Sequence, residues 1–372
     1  MADVLEYPKR PPSTVLLVGG AGSVGQRIAR IIAPALGERL WVGGRNRARA
    51  PTVADALGAQ SRVLDVSDPN TFKAALDGIG LIVMCLDTND LAFAHACVTR
   101  GIHYIDITAS MHVIERLRCL DDLAQTQGAA VLSSVGLAPG LTNLMAKDCV
   151  QQSPDAIASL DIHLLFGLDD HHGPAALEWM VDQLHQLFTT ADDPDTPQWS
   201  FAKRSTAHFP KPIGPRATYR FNFSDQHTLS RTLGLPKVRT WSTFDPPWMA
   251  TLLQRLAQLR VLRLTRLRPV RRATLWALDK STFGNDEFAV SVEATTSVGQ
   301  RYHCAATGQA EAHGTAVMTA ELVRQCSQTT PKPGVAQLDE RYALASFLPA
   351  LAAHDILVDS DGRMCTAGTR HG

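Results

Sequence analysis

The stretch that decides the fold is Val15 to Gly25, which reads VLLVGGAGSVG. Four apolar residues predict a buried strand, and the residues after the stretch carry apolar side chains at helical spacing. Between strand and helix, glycines are spaced as Gly-x-Gly-x-x-Gly, which in this context predicts a dinucleotide-binding turn rather than a plain glycine turn. The first glycine permits the sharp turn, the second admits a pyrophosphate, and the third brings the helix close to the strand. The predicted phosphate-binding residues are Gly20, Ala21, Gly22, Ser23, Val24 and Gly25.

Further short apolar runs follow, and helical stretches separate them. The predicted strands after the first are Leu40–Val42, Arg62–Asp65, Leu81–Leu86, His103–Ile107 and Ala129–Val135. Apolar strands alternating with amphipathic helices are typical of a parallel sheet that is covered on both faces. We therefore predict an α/β, doubly wound parallel Rossmann sheet, forming a domain over residues 1–150.

The pattern changes after residue 150. Strands are predicted at Ile157–Phe166, Pro215–Phe223, Phe288–Thr296 and Tyr302–Thr307, with a long helix at Pro174–Phe188. This grouping favours an α+β domain with an antiparallel sheet over residues 151–310, serving substrate binding and dimerisation. Helices at His313–Cys326 and Asp339–Ala353, joined by a Pro-Gly linker at Pro331–Gly334, make up residues 311–358. We expect them to pack back on the first domain, and residues 359–372 to form a tail.

Composition excludes several classes of protein. The 372 residues carry 36 Lys plus Arg and 36 Asp plus Glu, so the formal net charge is zero. A chain that binds nucleic acid over its whole surface would be far more basic. The seven cysteines form no C-x-x-C pair, which favours a reducing cytoplasm, and the N-terminus carries no apolar signal region. No apolar run approaches the roughly 20 residues that span a bilayer.

The residues after the second predicted strand bear on the cofactor. Arg45 lies 20 residues after Gly25, where an NAD enzyme carries an acidic residue that binds the ribose 2′-hydroxyl. A guanidinium there can bind a 2′-phosphate, and Arg47 adds charge beside it. Arg45, Asn46 and Arg47 therefore favour NADP(H), and a solvated basic turn is the alternative.

The ends of two further strands complete the predicted cofactor site. Asp65 and Val66 follow the third strand, where adenine contacts lie in this fold. Met84 and Cys85 end the fourth strand, beside the crevice where the strand order reverses. We expect Cys85 to be a small buried apolar residue rather than a nucleophile.

Three more stretches point to a class of enzyme. They are His103–Thr108 (HYIDIT), Val135–Asn143 (VGLAPGLTN) and, less distinctly, Gly308–Ala316 (GQAEAHGTA). No tyrosine is followed four residues later by lysine, which disfavours a short-chain dehydrogenase. Together with the glycine turn, these stretches resemble the saccharopine dehydrogenase-like reductase family, clearly over about the first 150 residues. The resemblance implies reduction, with NADPH, of an imine formed between an amine and a carbonyl compound.

Two residues are candidates for catalysis. Asp106 ends the fifth strand, where its carboxylate can stabilise a protonated amine or iminium by charge, although a turn or helix cap is an equal alternative. His172 precedes a helix and can protonate the reduced nitrogen, with an exposed loop histidine as the alternative. It belongs to the run Asp169–His172 (DDHH). Adjacent ligands on one short loop cannot all reach one ion, so we predict no metal.

A basic stretch stands out in the second domain. Thr251–Leu278 contains seven arginines and no acidic residue, and its leucines predict an amphipathic helix that Pro269 ends. One interpretation is a solvated face. The other is a surface for an anionic partner, namely a carrier-bound substrate, coenzyme A or a membrane surface. Sparse aromatic residues disfavour nucleic acid.

The sequence thus predicts a cytoplasmic, NADPH-dependent oxidoreductase with a small-molecule substrate, and we expect a homodimer. The related alternative is an enoyl reductase that acts on the C=C bond of an acyl or carrier-bound substrate. The alternative from another class is a non-catalytic module that binds NADP(H) as a sensor.

Overall fold

The computed structural model describes residues 13–168, 174–279 and 284–363. These residues fall into two compact units. The first contains the described residues up to Gly136 together with Thr315–Arg341, and the second contains the described parts of Leu137–Gly314 and of the chain from Tyr342 onward. This division differs from the sequence-based one, which placed the boundary at residue 150 and made residues 311–358 a separate C-terminal part.

The elements alternate through the first unit and become strand-rich in the second. Up to Gly136 they are β1 (Val15–Val18), α1 (Ser23–Leu36), β2 (Leu40–Gly44), α2 (Arg49–Asp55), β3 (Gln60–Val63), α3 (Phe72–Leu76), β4 (Leu81–Met84), α4 (Ala92–Thr99), β5 (His103–Asp106), α5 (Met111–Arg118), α6 (Asp121–Gln127) and β6 (Ala130–Ser133). Next come α7 (Thr142–Gln151), β7 (Ile157–Gly167), α8 (Pro174–His185), β8 (Leu187–Thr190), β9 (Asp193–Trp199), β10 (Arg204–His208), β11 (Pro215–Arg220), α9 (Ser224–Thr232), β12 (Val238–Asp245), α10 (Pro247–Gln258), α11 (Arg268–Asp279), β13 (Glu287–Thr296) and β14 (Arg301–Gln309). The last are α12 (Glu311–Gln328), β15 (Gly334–Gln337), α13 (Leu338–Arg341), α14 (Leu348–Ala353) and β16 (Leu357–Arg363).

The sheet of the first unit has seven parallel strands in the order β15-β6-β5-β4-β1-β2-β3. Every residue of β1, β4, β5 and β6 is buried, as expected for strands that are covered on both faces. The strand order reverses between β1 and β4, so the predicted doubly wound fold is confirmed. The edge strand β15 was not predicted, and it begins inside the supposed Pro331–Gly334 linker.

The sheet of the second unit also has seven strands, in the order β10-β11-β12-β7-β13-β14-β16. All its pairs are antiparallel except β7 with β12, so the sheet is mixed rather than purely antiparallel. The alternating pattern of strand β7 explains why this sheet forms. Leu160, Ile162 and Leu164 are fully buried on one face and alternate with Asp161 and His163 on the other. The predicted α+β class is confirmed with this change.

Three predictions about local structure are wrong. The helix predicted at Asp339–Ala353 is broken, because Ala343 is extended (φ −117°, ψ 148°) and a new helix, α14, begins at Leu348 with Pro349 in its first turn. The tail predicted from residue 359 begins inside β16, an edge strand whose polar residues resemble a loop. Pro269 does not end a helix; it lies in the first turn of α11, where a missing amide N–H costs no hydrogen bond.

Candidate dinucleotide site and buried carboxylate

The glycine turn lies between β1 and α1, and its left-handed residue is Gly19 (φ +79°) rather than Gly20. Gly20 is instead confined by packing, since a Cβ there would lie 3.1 Å from Val42 Cγ1. Gly25 is the tightest position, because a Cβ would lie 2.5 Å from Gly19 O and 2.7 Å from Gly20 Cα. The third glycine therefore brings α1 onto the turn, as its spacing predicted.

The N-terminus of α1 suits an anion. Gln26 N donates to Gly22 O at 3.0 Å, so the amides before Gln26 precede the first intrahelical hydrogen bond. Gly22, the residue before the helix, is exposed, and the first turn carries no acidic residue. The amides of Ser23, Val24 and Gly25 lie in this first turn, and Ala21 O is held by Gln26 Nε2 at 2.8 Å. Such a helix start binds phosphate through N–H groups and the helix dipole.

Arg45, Asn46 and Arg47 lie together on the exposed turn after β2. Asn46 has a structural task, because its Oδ1 accepts hydrogen bonds from Ala48 N at 2.9 Å and Arg49 N at 3.0 Å. Within the described residues, neither Arg45 nor Arg47 has a hydrogen bond or ion pair, so both guanidinium groups are available to a phosphate. The turn therefore fits a cofactor with a phosphate on the adenosine ribose.

The two residues predicted after β3 differ in their contacts. Asp65 Oδ1 accepts a hydrogen bond from Ser67 N at 2.9 Å, which ties the carboxylate to its own turn. Val66 packs, partly buried, against the hydrophobic core of the first unit. Contacts of these two residues with adenine stay a prediction.

The end of β4 lies between β1 and β5. Cys85 N donates to Val18 O at 2.9 Å, and Met84 O accepts from Ile107 N at 3.3 Å. Met84 is buried, and burial raises the pKa of the Cys85 thiol to about 12, with the nearby charge of Asp106 adding to the effect. A thiol with this pKa stays protonated at neutral pH and is no nucleophile.

Asp106 lies opposite Met84 in the sheet register and is almost fully buried. Its Oδ1 accepts a hydrogen bond from Thr108 N at 2.9 Å, and its Oδ2 accepts one from Tyr104 Oη at 3.3 Å. Burial raises the pKa of Asp106 to about 7, although both hydrogen bonds oppose the increase. Asp106 thus helps to form its own turn. It does not cap α5, because the residue before that helix is Ser110.

Sequence reasoning missed two groups of residues near these strand ends. Thr108 Oγ1 donates to Asp87 Oδ1 at 3.2 Å, and desolvation raises the pKa of Asp87. Ser133 and Gln337 pair at the ends of β6 and β15, and both Ser133 Oγ and Gln337 Nε2 are buried without a partner among the described residues. Asp87 lies three residues after the end of β4, a position from which it could have been found. No sequence signal links Ser133 to Gln337.

The stretch VGLAPGLTN begins in the first unit and ends in the second, since the units divide between Gly136 and Leu137. Asn143 Oδ1 accepts from Gly140 N at 3.1 Å, and Asn143 Nδ2 donates to Thr228 Oγ1 at 3.2 Å. Three residues before Thr228, Asp225 Oδ1 accepts a hydrogen bond from Thr240 Oγ1 at 2.6 Å, and burial raises the pKa of Asp225 to about 6. The second unit therefore has a buried polar network of its own.

His172 lies outside the described residues, as do Asp169, Asp170 and His171. Its predicted proton transfer stays a prediction. Within residues 13–168, 174–279 and 284–363, no group of three or more His, Cys, Asp or Glu side chains is placed to hold a metal ion.

Comparison with known proteins found one matching family and several structures of similar fold. Residues 15–132 match the family "Saccharopine dehydrogenase NADP binding domain". The structure is similar to saccharopine dehydrogenase (L-Glu forming) from Saccharomyces cerevisiae, with a TM-score of 0.65 and 13% identity, covering 94% of this chain and 100% of that one. It is also similar to an amine dehydrogenase from Mycobacterium smegmatis, with a TM-score of 0.48 and 11% identity, covering 89% and 96%.

Across the described residues, no helix has both the length and the apolar character that crossing a membrane requires.

The segment matched by the family, residues 15–132, contains the glycine turn, the arginines after β2 and Asp106. The match over residues 15–132 is to an NADP-binding domain, which supports NADP(H) as the cofactor of the first unit.

Proposed function

We propose that the chain is an NADPH-dependent oxidoreductase that reduces an imine formed from an amine and a carbonyl compound. The NADP-binding domain supports the cofactor half of this proposal, and the name of the yeast protein of similar fold, saccharopine dehydrogenase, supports dehydrogenase chemistry. The observation that carries the chemical half is Asp106, a buried carboxyl group with a pKa of about 7.

In this proposal, different residues of the first unit bind different parts of NADPH. The amides at the start of α1 hold the pyrophosphate, and Gly25 keeps the helix close enough to present them. Arg45 and Arg47 bind the 2′-phosphate, for which a bidentate guanidinium is well suited. When bound, NADPH supplies a hydride to the imine carbon.

Asp106 supplies the proton that the imine nitrogen must gain. At neutral pH a carboxyl group with a pKa near 7 is protonated in about half of the molecules, so it can act as a general acid. The carboxylate that remains keeps its hydrogen bonds from Thr108 N and Tyr104 Oη. Stabilisation of an iminium by the charge of Asp106 is the alternative role, and it requires the ionised form.

The test measures NADPH oxidation by the purified full chain with mixtures of amines and keto acids. We expect turnover with at least one mixture, and Asp106→Asn to lower kcat by about 100- to 10,000-fold. Asp55→Asn, which changes an exposed carboxylate on α2, is the matched control and should keep full activity. Turnover of an enoyl thioester alone would show an enoyl reductase, and NADPH binding without any turnover would show a sensor.

The pH profile distinguishes the two roles of Asp106. If it donates a proton, kcat/KM falls as the pH rises through about 7; if it acts by charge, kcat/KM falls as the pH drops through about 7. The same profile for His172→Gln tests the sequence-based proton donor. An unchanged profile in Asp106→Asn would exclude Asp106 from proton transfer.

A further inference from the structure

Exposed apolar side chains are concentrated in one stretch of the second unit, residues 247–278, which we call the basic helical surface. Seven of the twelve large apolar residues that are exposed in the described chain lie there. They are Trp248, Leu252, Leu259, Val261, Leu264, Leu267 and Trp276. Leu259 is 73% exposed and Trp276 is 68% exposed. Scattered exposed apolar residues need no explanation, but a concentration of this kind marks an interaction surface.

Helix α10 has an exposed face that is largely apolar. Trp248, Leu252, Arg255 and Leu259 are exposed and follow one another at intervals of four, three and four residues, which places them along one face of the helix. The other face carries the buried Ala250 and packs against β11 and β12. A helix that already has a buried face has no folding reason to display leucine and tryptophan on the outer one.

Helix α11 repeats this arrangement. Arg271 is directed towards α8, where its guanidinium lies 3.2 Å from Asp182 and 3.5 Å from Glu178. Arg268, Arg272 and Trp276 are spaced by four residues and are exposed, so cations and an indole occupy the outer face.

The 3₁₀ segment Val261–Arg266 between the two helices behaves in the same way. It buries Leu262 and Thr265 and exposes Leu264 and Arg266. All three elements therefore display apolar and cationic side chains, and the 3₁₀ segment contacts both α10 and α11.

The charge of this surface has one sign. No acidic residue lies between Pro246 and Leu278, and five arginines are exposed: Arg255, Arg260, Arg266, Arg268 and Arg272. Leucine and tryptophan interleaved with arginine are typical of helices that lie in the headgroup region of a membrane, with the arginines pairing with anionic lipids. A nucleic-acid-binding surface would carry aromatic side chains on which bases stack, whereas most of the exposed apolar residues here are aliphatic.

We propose that the basic helical surface binds the surface of an anionic lipid bilayer. Trp248, Leu259, Trp276 and their neighbours enter the boundary between headgroups and acyl chains, while the arginines contact lipid phosphates. This attachment requires no membrane-spanning helix. It is independent of the proposed reaction.

The test is co-sedimentation of the full chain with vesicles of phosphatidylcholine alone, or of phosphatidylcholine with phosphatidylglycerol. We expect binding to the anionic vesicles only, and weaker binding as salt is added, because salt screens exposed charges. No binding of the wild-type chain to anionic vesicles would overturn the proposal.

Two pairs of variants separate the apolar and cationic contributions. Leu259→Ser combined with Trp276→Ser should lower vesicle affinity by at least tenfold, because both side chains lose apolar contact with the membrane. Val298→Ser, which alters a side chain 72% exposed elsewhere in this unit, is the matched control. Arg268→Gln combined with Arg272→Gln should lower affinity by about 30-fold, and the exposed Arg204→Gln should leave it unchanged.

Sedimentation of the same variants without vesicles checks the competing occupant. If the Leu259 and Trp276 variant changes from an oligomer to a monomer and still binds vesicles normally, the surface joins copies of this chain, and the proposal is wrong. A thermal shift with NADPH in each variant confirms that the first unit remains folded.

Discussion

Two neighbouring regions of the first unit have proposed roles that depend on different parts of the chain. The proposed role of the turn between β1 and α1 depends on backbone atoms, because the packing around Gly25 leaves no room for a Cβ. The proposed role of the end of β5 depends on a side chain, the buried carboxyl group of Asp106, whose pKa is set mainly by burial. A turn built on backbone atoms can be identified from residue spacing, whereas a shifted pKa becomes visible only after the chain has folded.

The strongest test of this comparison is the stability of Asp106→Asn. Burial raises the pKa of Asp106 from 3.8 to about 7, so the native state binds more protons than the unfolded state between these values, and stability falls as the pH rises through that window. Above pH 7 the cost reaches about 4 kcal/mol, and asparagine removes it. Denaturant unfolding should show Asp106→Asn to be more stable than wild type at pH 8 and equal to it near pH 4. Equal stability at both pH values would contradict the raised pKa.

The next largest effect is expected from Gly25→Ala. The new Cβ would lie 2.5 Å from Gly19 O, so the start of α1 must move, which should cost about 1–3 kcal/mol of stability and weaken NADPH binding. Gly22→Ala is the matched control for stability, because its Cβ would meet only Gly19 O, at 3.1 Å. Thermal unfolding and NADPH titration measure the two effects. A Gly25→Ala protein as stable as Gly22→Ala would refute the close packing.

Arg45→Asp tests the side-chain part of cofactor binding. Loss of a charged hydrogen bond to the 2′-phosphate should weaken NADPH binding by about tenfold or more, while NADH binding is retained or improved. Calorimetric titration of both cofactors measures the change, with Arg204→Asp as the control on the second unit. If Arg45→Asp binds NADPH as tightly as wild type, Arg45 does not select the cofactor.

The smallest effect is expected from Asp87→Asn. The charge of Asp87 contributes to the raised pKa of Asp106, so its removal should shift the pH profile of kcat/KM to lower pH by less than about one unit. The direction of the shift is the result that matters. A shift to higher pH would show that the two carboxyl groups do not interact as described.

Much of the first unit could be predicted from the sequence because its strands are short, apolar runs between helices. The strand β15 escaped prediction, since four residues next to a Pro-Gly linker carry no periodicity, and only pairing with β6 reveals them. The positions of Arg45 and Asp106 could be predicted from spacing, but the pKa of Asp106 could not, because burial is its main cause. In the second unit, the polar strand β16 reads as a loop and becomes a strand only beside β14.

The order of the chain has a consequence for its synthesis. The larger part of the second unit, Leu137–Gly314, is inserted between the two parts of the first, and the edge strand of the first sheet, β15, ends only at Gln337. During synthesis, one edge of β6 therefore stays unpaired until about two hundred further residues have been added. An unpaired strand edge can form hydrogen bonds with other chains. A protein truncated after residue 136 would keep that edge permanently open and should aggregate, so any excised cofactor domain must carry residues 315–341 fused behind it.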